Sequence, residues 1–219
     1  MNPWSLPVDL YCERLVPGLW AEPLNLVSNL AFAIAGMLGV RWMRGRSEGP
    51  LWVLVGLTFA IALGSALFHS IATTGAMLAD VLPIALYLVT HLGVLTRHLL
   101  RLSWRATFGA FGGFGALTLL GLSLVGREAS GGSNGYFGAA VALLIIAVGL
   151  RARAPVAAKR YGLAGGAFVV SLVFRSIDLR VCSSFPIGTH FLWHLLNGLV
   201  IALTLRAAIG LLPAVNGSR

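Results

Sequence analysis

Long apolar segments separated by short polar loops dominate this chain. Seven such segments run over residues 24–42, 51–69, 77–98, 106–125, 135–151, 160–176 and 188–212. A helix needs about 20 apolar residues to cross the hydrocarbon core of a bilayer, and these segments approach or exceed that length, although the fifth is short. The loops are brief and rich in Gly, Ser, Arg and Pro. The pattern predicts an all-α polytopic membrane protein, a seven-transmembrane helix bundle that forms a single domain over residues 1–219.

The composition supports this prediction. Of the 219 residues, 58% are hydrophobic and only 11% are charged, whereas soluble domains carry about 25% charged residues. A soluble globular enzyme and a disordered chain are therefore both excluded.

Residues 1–22 do not resemble a cleaved signal peptide. They lack a basic start followed by a long apolar run, and they contain Asp9, Glu13, Glu22 and several prolines. We expect a retained N-terminal segment outside the cytoplasm.

The charged residues are sorted by loop. Ten of the 16 basic residues follow the first, third and fifth segments: Arg41, Arg44, Arg46, Arg97, Arg101, Arg105, Arg151, Arg153, Lys159 and Arg160. Six of the seven acidic residues lie in the N-terminal segment or beside the other loops: Asp9, Glu13, Glu22, Asp80, Glu128 and Asp178. The positive-inside rule then predicts an outer N-terminus and a cytoplasmic C-terminus. The net charge of +9 thus indicates topology and contact with anionic lipid, and no nucleic-acid partner is expected.

Ionisable side chains inside apolar segments are costly and usually functional. Ser65 and His69 end the second segment, Asp80 begins the third, and His190 and His194 begin the seventh. With the orientation above, all five lie near the outer face of the membrane.

The spacing of these residues indicates a metal site. His190 and His194 lie four residues apart, as do Ser65 and His69, so each pair shares one helix face. Three imidazoles leave a fourth position open for water, which is the catalytic form of a zinc site. Asp80 would then act as the proton acceptor and Ser65 as the donor to an oxyanion.

Other histidine roles remain open. A His pair can instead ligate haem, although haem would need opposed helices and a large apolar slot. His91 and His98 have no partner at a suitable depth, so we expect them to hydrogen-bond neighbouring helices.

A second polar cluster comprises Asp9, Glu13, Glu22 and Asn25. Oxygen ligands of this kind suit Ca²⁺, but the spacing is not that of an EF-hand, and composition alone favours a solvated acidic segment. For Ser28 and Asn29 we expect helix–helix hydrogen bonds.

Cys12 and Cys182 both fall on the outer side, which is an oxidising compartment. A disulfide between them is compatible with this topology, as are two free thiols.

These motifs together resemble the alkaline ceramidases. The resemblance rests on Ser65-x-x-x-His69, Asp80 eleven residues later, and His190-x-x-x-His194. It extends to the N-terminal Asp9, Cys12-Glu13 and Glu22-x-x-Asn25-x-x-Ser28-Asn29, and to Phe174-Arg175-Ser176-Ile177-Asp178 before Cys182. The alkaline ceramidases belong to a superfamily of seven-span metal hydrolases that includes the adiponectin and progestin receptor group.

The resemblance implies seven helices around a zinc ion in the outer half of the bundle. It implies zinc ligation by His69, His190 and His194, with Asp80 and Ser65 as catalytic residues. It further implies a Ca²⁺ ion held by Asp9, Glu13, Glu22 and nearby groups including Asn25, and a Cys12–Cys182 disulfide. Only eight residues separate Glu13 from Glu22, fewer than expected for the animal enzymes.

The expected function is zinc-dependent hydrolysis of the N-acyl bond of ceramide or a related lipid, in a bacterial inner membrane with the active site towards the outer face. The acyl chain would lie between helices, beside small residues such as Gly64, Ala66 and Gly198, although small residues also permit close helix packing. A zinc-dependent lipid esterase or lipase is an alternative, as is a non-catalytic lipid receptor with structural zinc. A transporter is disfavoured because the chain has no internal repeat and no paired broken spans.

Overall fold

The computed structural model describes residues 2–126 and 130–213. Within these residues the fold is all-helical, and Glu128 lies outside them. Eight α-helices occur in the described chain: α1 (Pro23–Ser28), α2 (Leu30–Met43), α3 (Gly49–Ile71), α4 (Thr74–Gly93), α5 (Trp104–Leu124), α6 (Phe137–Leu150), α7 (Pro155–Val181) and α8 (His190–Ile209). A π-helical stretch, Val94–Leu99, continues α4. In the described residues β-structure is limited to a bridge between Pro7 and Thr73.

In the described part of the chain, six helical stretches are long and apolar enough to cross a membrane. They are Pro23–Met43, Gly49–Ile71, Thr74–Leu99, Trp104–Leu124, Pro155–Val181 and His190–Ile209. Large apolar side chains such as Leu63, Leu119 and Val148 are more than half exposed on the surface of the helices. Side chains that face lipid are expected to be exposed in this way. The chain has the features of an integral membrane protein.

The fifth predicted segment forms a shorter apolar helix. With the turn before it, α6 extends over Asn134–Leu150, and at a rise of ~1.5 Å per residue this stretch is about 25 Å long. The hydrocarbon core is about 30 Å thick. Seven spans therefore remain a prediction, whereas six are of spanning length.

A tight turn joins α3 to α4 and places their polar ends together. Helix α3 ends at Ala72, whose left-handed φ of 40° stops the helix. Thr73 then caps α4, since its side-chain oxygen accepts the backbone N–H of Ala76. His69, near the end of α3, and Asp80, in the second turn of α4, consequently lie at the same end of the bundle.

Glycines bring helix backbones into direct contact near this end. A Cβ on Gly64 would overlap the backbone oxygen of Ala79 in α4, and a Cβ on Gly198 in α8 would lie 2.6 Å from the Cβ of Ala31 in α2. These glycines therefore serve close helix packing, and not a space for a lipid tail.

The N-terminal segment is fixed to this end by a disulfide between Cys12 and Cys182. Asp178 reinforces the attachment, because its carboxylate accepts the backbone N–H groups of Cys12 (3.0 Å), Thr189 (2.6 Å) and His190 (2.9 Å). One buried carboxylate thus ties the segment to α7 and to the start of α8.

Candidate metal centre

Three buried histidines meet at one point in the bundle. His69 comes from α3, and His190 and His194 from the first two turns of α8. One ring nitrogen from each lies within 4.8 Å of the others, and the exposed fraction of each residue is 2% or less. Because i and i+4 share a helix face, the two α8 rings face His69 together.

Hydrogen bonds fix the tautomers of two of these rings. Nδ1 of His69 lies 2.6 Å from Glu22 Oε2, so the carboxylate accepts a proton held on Nδ1. Nδ1 of His194 lies 2.7 Å from Ser28 Oγ, and the Ser28 hydroxyl itself donates to the carbonyl oxygen of Asn25. Nδ1 of His194 must therefore be the donor. In both rings the lone pair is left on Nε2.

Metal-binding histidines show this arrangement, with the second nitrogen held by a carboxylate or another acceptor. Nε2 of His69 is buried and has no hydrogen-bond partner. An unpaired buried nitrogen is costly in a dry site, and a metal ion at the centre of the three rings would satisfy it. The donor set fits zinc, for which imidazole is a preferred ligand.

His190 is oriented by stacking. Its ring lies on Tyr11 of the N-terminal segment with centroids 3.6 Å apart and an interplanar angle of 16°. Burial, only partly offset by the nearby Arg175, raises the pKa of Tyr11 to about 12, so Tyr11 is a neutral phenol at physiological pH.

Asp80 and Ser65 lie beside this cluster. The backbone contact between Gly64 and Ala79 places the Ser65 hydroxyl next to the Asp80 carboxyl, which is also within electrostatic range of His69. Oδ1 of Asp80 is buried without a hydrogen-bond partner. A free carboxyl oxygen near the His69 imidazole is positioned to exchange a proton with a bound reactant.

An apolar cavity lies inside the bundle, next to His194. Its wall includes Phe32, whose ring contacts His194, and Trp193, the neighbour of His194 in sequence. It continues to Thr204, about 15 Å further along α8 at ~1.5 Å per residue. An apolar lining of this kind suits a hydrocarbon group.

A sequence profile of the ceramidase family matches residues 10–212. The chain belongs to the ceramidase family. No curated protein gives a significant match to the sequence. Family membership supports a lipid amide hydrolase, and the matched region contains the three histidines that can hold a metal ion.

Three of the four residues expected to bind calcium in this ceramidase-family chain have other contacts. Glu13 accepts the backbone N–H groups of Leu24 (2.6 Å) and Asn25 (2.8 Å) at the start of α1. Glu22 accepts hydrogen bonds from Arg14 (2.5 Å), His69 and Asn25. Asp9 is exposed.

The surroundings of Glu13 and Glu22 shift the pKa values of these two carboxyl groups in opposite directions. Burial raises the pKa of Glu13, although the two backbone N–H groups oppose the shift. Burial acts the same way on Glu22, but hydrogen bonds from His69, Asn25 and Arg14 outweigh it and hold the pKa of Glu22 below its usual value. Glu22 is therefore the ionised partner of His69.

Several residues of this site could not be assigned from sequence. Ser28 does form an interhelix hydrogen bond as expected, but its partner is the candidate metal ligand His194. Asn29 instead bonds within its own helix, to the carbonyl oxygens of Asn25 and Leu26, so that expectation was wrong. Tyr11 and Arg14 carried no signal, because their roles depend on where the N-terminal segment folds back.

The two remaining histidines differ from each other. His91 bonds Tyr161 of α7 through Nε2 at 2.9 Å, which confirms the expected interhelix hydrogen bond. His98 is exposed on the π-helical stretch.

Proposed function

We propose that this chain is a zinc-dependent ceramidase that hydrolyses the N-acyl bond of ceramide or a related lipid. The observation that carries the proposal is the set of three buried imidazoles beside a carboxyl group with a free oxygen. Two of the imidazoles have Nδ1 fixed as a donor, so their Nε2 lone pairs point away from the hydrogen-bonded partners.

His69, His190 and His194 would hold the zinc ion. When bound, zinc supplies a Lewis acid that polarises a carbonyl group and lowers the pKa of a water molecule. Glu22 and Ser28 keep two of the ligands in the required tautomer, and Tyr11 holds the third ring by stacking.

Asp80 accepts the proton of the attacking water and returns it to the nitrogen of the leaving amine. Its unpartnered Oδ1 supports this role. The adjacent Ser65 hydroxyl donates a hydrogen bond to the oxygen of the amide carbonyl as negative charge develops there.

The apolar cavity receives the acyl chain. Its lining from Phe32 to Thr204 is almost entirely apolar, while the amide end stays among the polar side chains. This division supports a substrate with one long hydrocarbon chain joined to a polar group.

The proposal includes a topology. Helix α6 is taken as a seventh, short span, which places the N-terminus outside and the C-terminus in the cytoplasm. The catalytic end then faces outward, in accord with an oxidised Cys12–Cys182 pair and with a bacterial inner membrane.

The decisive experiment measures zinc content and lipid hydrolysis on the same detergent-purified sample. We expect about one zinc per chain by the three-ligand stoichiometry, and fatty acid release from ceramide. His190→Ala should lose both, whereas Asp80→Asn should keep zinc and lose at least ~100-fold in kcat, the usual range for a removed general base.

Two results would contradict the proposal. Zinc retained in full by His190→Ala would exclude the three-histidine site. Hydrolysis of a matched ester analogue with no fatty acid release from ceramide would identify the enzyme as an esterase instead.

A further inference from the structure

We propose that Arg14 is a built-in cation that takes the place of calcium in the N-terminal segment, and that it acts through Glu22 to position the zinc ligand His69. The statement about calcium is independent of catalysis. The statement about His69 rests on the proposed zinc site.

The guanidinium group of Arg14 pairs with one of the expected calcium ligands, Glu22. Its Nε donates to Glu22 Oε1 at 2.5 Å, and its Nη2 donates to the backbone oxygen of His69 at 3.2 Å. The side chains of Arg14 and Glu22 are only 9% and 2% exposed. A buried carboxylate needs a compensating positive charge, and Arg14 already supplies it.

The oxygens that calcium would need are already engaged. Both Glu13 oxygens accept backbone N–H groups, and both Glu22 oxygens accept side-chain donors. Calcium takes six to eight oxygen ligands. Oδ1 of Asn25 is buried without a partner, but one amide oxygen is far short of that number.

Charge also opposes a calcium ion at this position. A divalent cation in contact with Glu22 would lie beside a buried guanidinium, and like charges repel strongly where water is excluded. Asp9, which would add a negative charge, is exposed and not part of the enclosed cluster.

The same contacts connect Arg14 to the metal centre. Glu22 receives Arg14 on one oxygen and Nδ1 of His69 on the other, while Arg14 also holds the carbonyl of His69. Ring and backbone of one zinc ligand are thus both fixed by the Arg14–Glu22 pair. Arg14 is a positioning residue, since the contacts that tie it to the zinc site run through Glu22 and His69.

The calcium statement is tested on the wild-type protein with zinc bound. Protein equilibrated with millimolar CaCl2 and then gel-filtered should contain no stoichiometric calcium by elemental analysis. Its unfolding temperature should change by less than about 1 °C across a CaCl2 titration, because a ligand stabilises only a fold that binds it. One calcium per chain, or a rise of several degrees, would overturn the proposal.

The positioning statement is tested by Arg14→Gln, with exposed Arg44→Gln as the control. We expect Arg14→Gln to lower zinc affinity about 10- to 100-fold in a chelator competition, the usual effect of removing an outer partner of a metal ligand. Arg44→Gln should leave the affinity unchanged. Unchanged zinc affinity in folded Arg14→Gln would overturn this statement.

Arg14→Lys is a second variant that keeps the test possible if Arg14→Gln does not fold. It keeps the charge but loses the planar fork that reaches both Glu22 and His69, so its zinc affinity should lie between those of wild type and Arg14→Gln. Wild-type affinity in Arg14→Lys would likewise exclude positioning by the fork. The calcium measurements need no lipid hydrolysis, so their outcome is separate from that of the proposed ceramidase activity.

Discussion

Nδ1 of His194 and the hydroxyl oxygen of Ser28 lie 2.7 Å apart although 166 residues separate them in the chain. The Ser28 hydroxyl donates its hydrogen to the carbonyl oxygen of Asn25. Its oxygen can therefore only accept a hydrogen bond from the imidazole of His194. A short helix at the start of the bundle thereby sets the tautomer of a candidate metal ligand on the last helix.

Ser28→Ala should therefore weaken zinc binding. With its acceptor removed, Nδ1 of His194 no longer needs the proton, and the loss in zinc affinity should be about tenfold or more. A chelator competition measures it. Ser70→Ala is the matched control, because the Ser70 hydroxyl bonds a carbonyl within its own helix, that of Ala66. An equal loss in both variants would contradict the assigned role of Ser28.

Gly64→Ala should destabilise the bundle. The added Cβ would overlap the backbone oxygen of Ala79, and the resulting displacement of α3 from α4 should lower the free energy of unfolding by about 1–3 kcal/mol, as overpacking does. It should also reduce activity, because Ser65 and Asp80 are adjacent to this contact. Thermal unfolding in detergent is the measurement.

Gly56→Ala on the same helix is the control for Gly64. No atom lies within 4 Å of a Cβ at Gly56, and alanine favours a helix over glycine by about 1 kcal/mol. Its unfolding temperature should stay the same or rise. Destabilisation of similar size at both glycines would indicate that a substitution anywhere in α3 destabilises the protein, and would contradict a specific role for the contact between Gly64 and Ala79.

Val200→Phe should restrict the enzyme to substrates with shorter acyl chains. Val200 lines the cavity six residues beyond His194, about 9 Å along α8. A larger ring there should lower kcat/KM for long acyl chains at least ~10-fold relative to short ones, since a pocket rejects a group that it cannot contain. Leu199→Phe, on the half-exposed face of α8, should leave the chain-length profile unaltered.

Glu13 should produce a measurable pH dependence of stability. Because its pKa is raised in the folded protein, the unfolded chain releases this proton first, and stability falls as pH rises from about 4.5 through the folded pKa. This stabilising contribution is fully present below pH 4.5 and fully lost above the folded pKa. The difference in unfolding temperature between wild type and Glu13→Gln, measured from pH 4 to 7, isolates it, and a difference independent of pH would contradict this assignment.

Reduction of the Cys12–Cys182 disulfide should loosen the N-terminal segment. The bond closes a loop with a sequence separation of 170 residues, and loss of a native disulfide typically costs about 2–5 kcal/mol. The Cys12→Ser variant should melt earlier than wild type, and reductant should shift wild type but not the variant. Alkylation of the untreated wild type at two thiols would show that the bond is absent.

Sequence patterns predicted those parts of the site that depend on one helix at a time. The four-residue spacing of His190 and His194 places both rings on one face of any helix. The loop charges predicted how deep each residue lies in the membrane, and this predicted depth was enough to group His69 and Asp80 with His190 and His194. The family motifs supplied the Cys12–Cys182 pairing, which the structure contains.

The contacts between distant segments were not predictable in this way. The family resemblance assigned Glu22 to calcium, because a carboxylate in an acidic segment carries no sign of a histidine 47 residues away. No pattern in the sequence singled out Arg14. The small residues Gly64 and Gly198 were ambiguous until the opposing backbones were in place.

The sequence alone determined the helices and the residue types available at the histidine-bearing end of the bundle, because periodicity and hydrophobicity act locally along a chain. Tertiary structure decided which polar groups pair there, how far α6 falls short of a full span, and which cation neutralises Glu22. Those outcomes depend on distances between segments that are remote in sequence. A hydrogen bond or ion pair contributes strongly to stability only where it is buried, and it becomes buried only after the helices have packed.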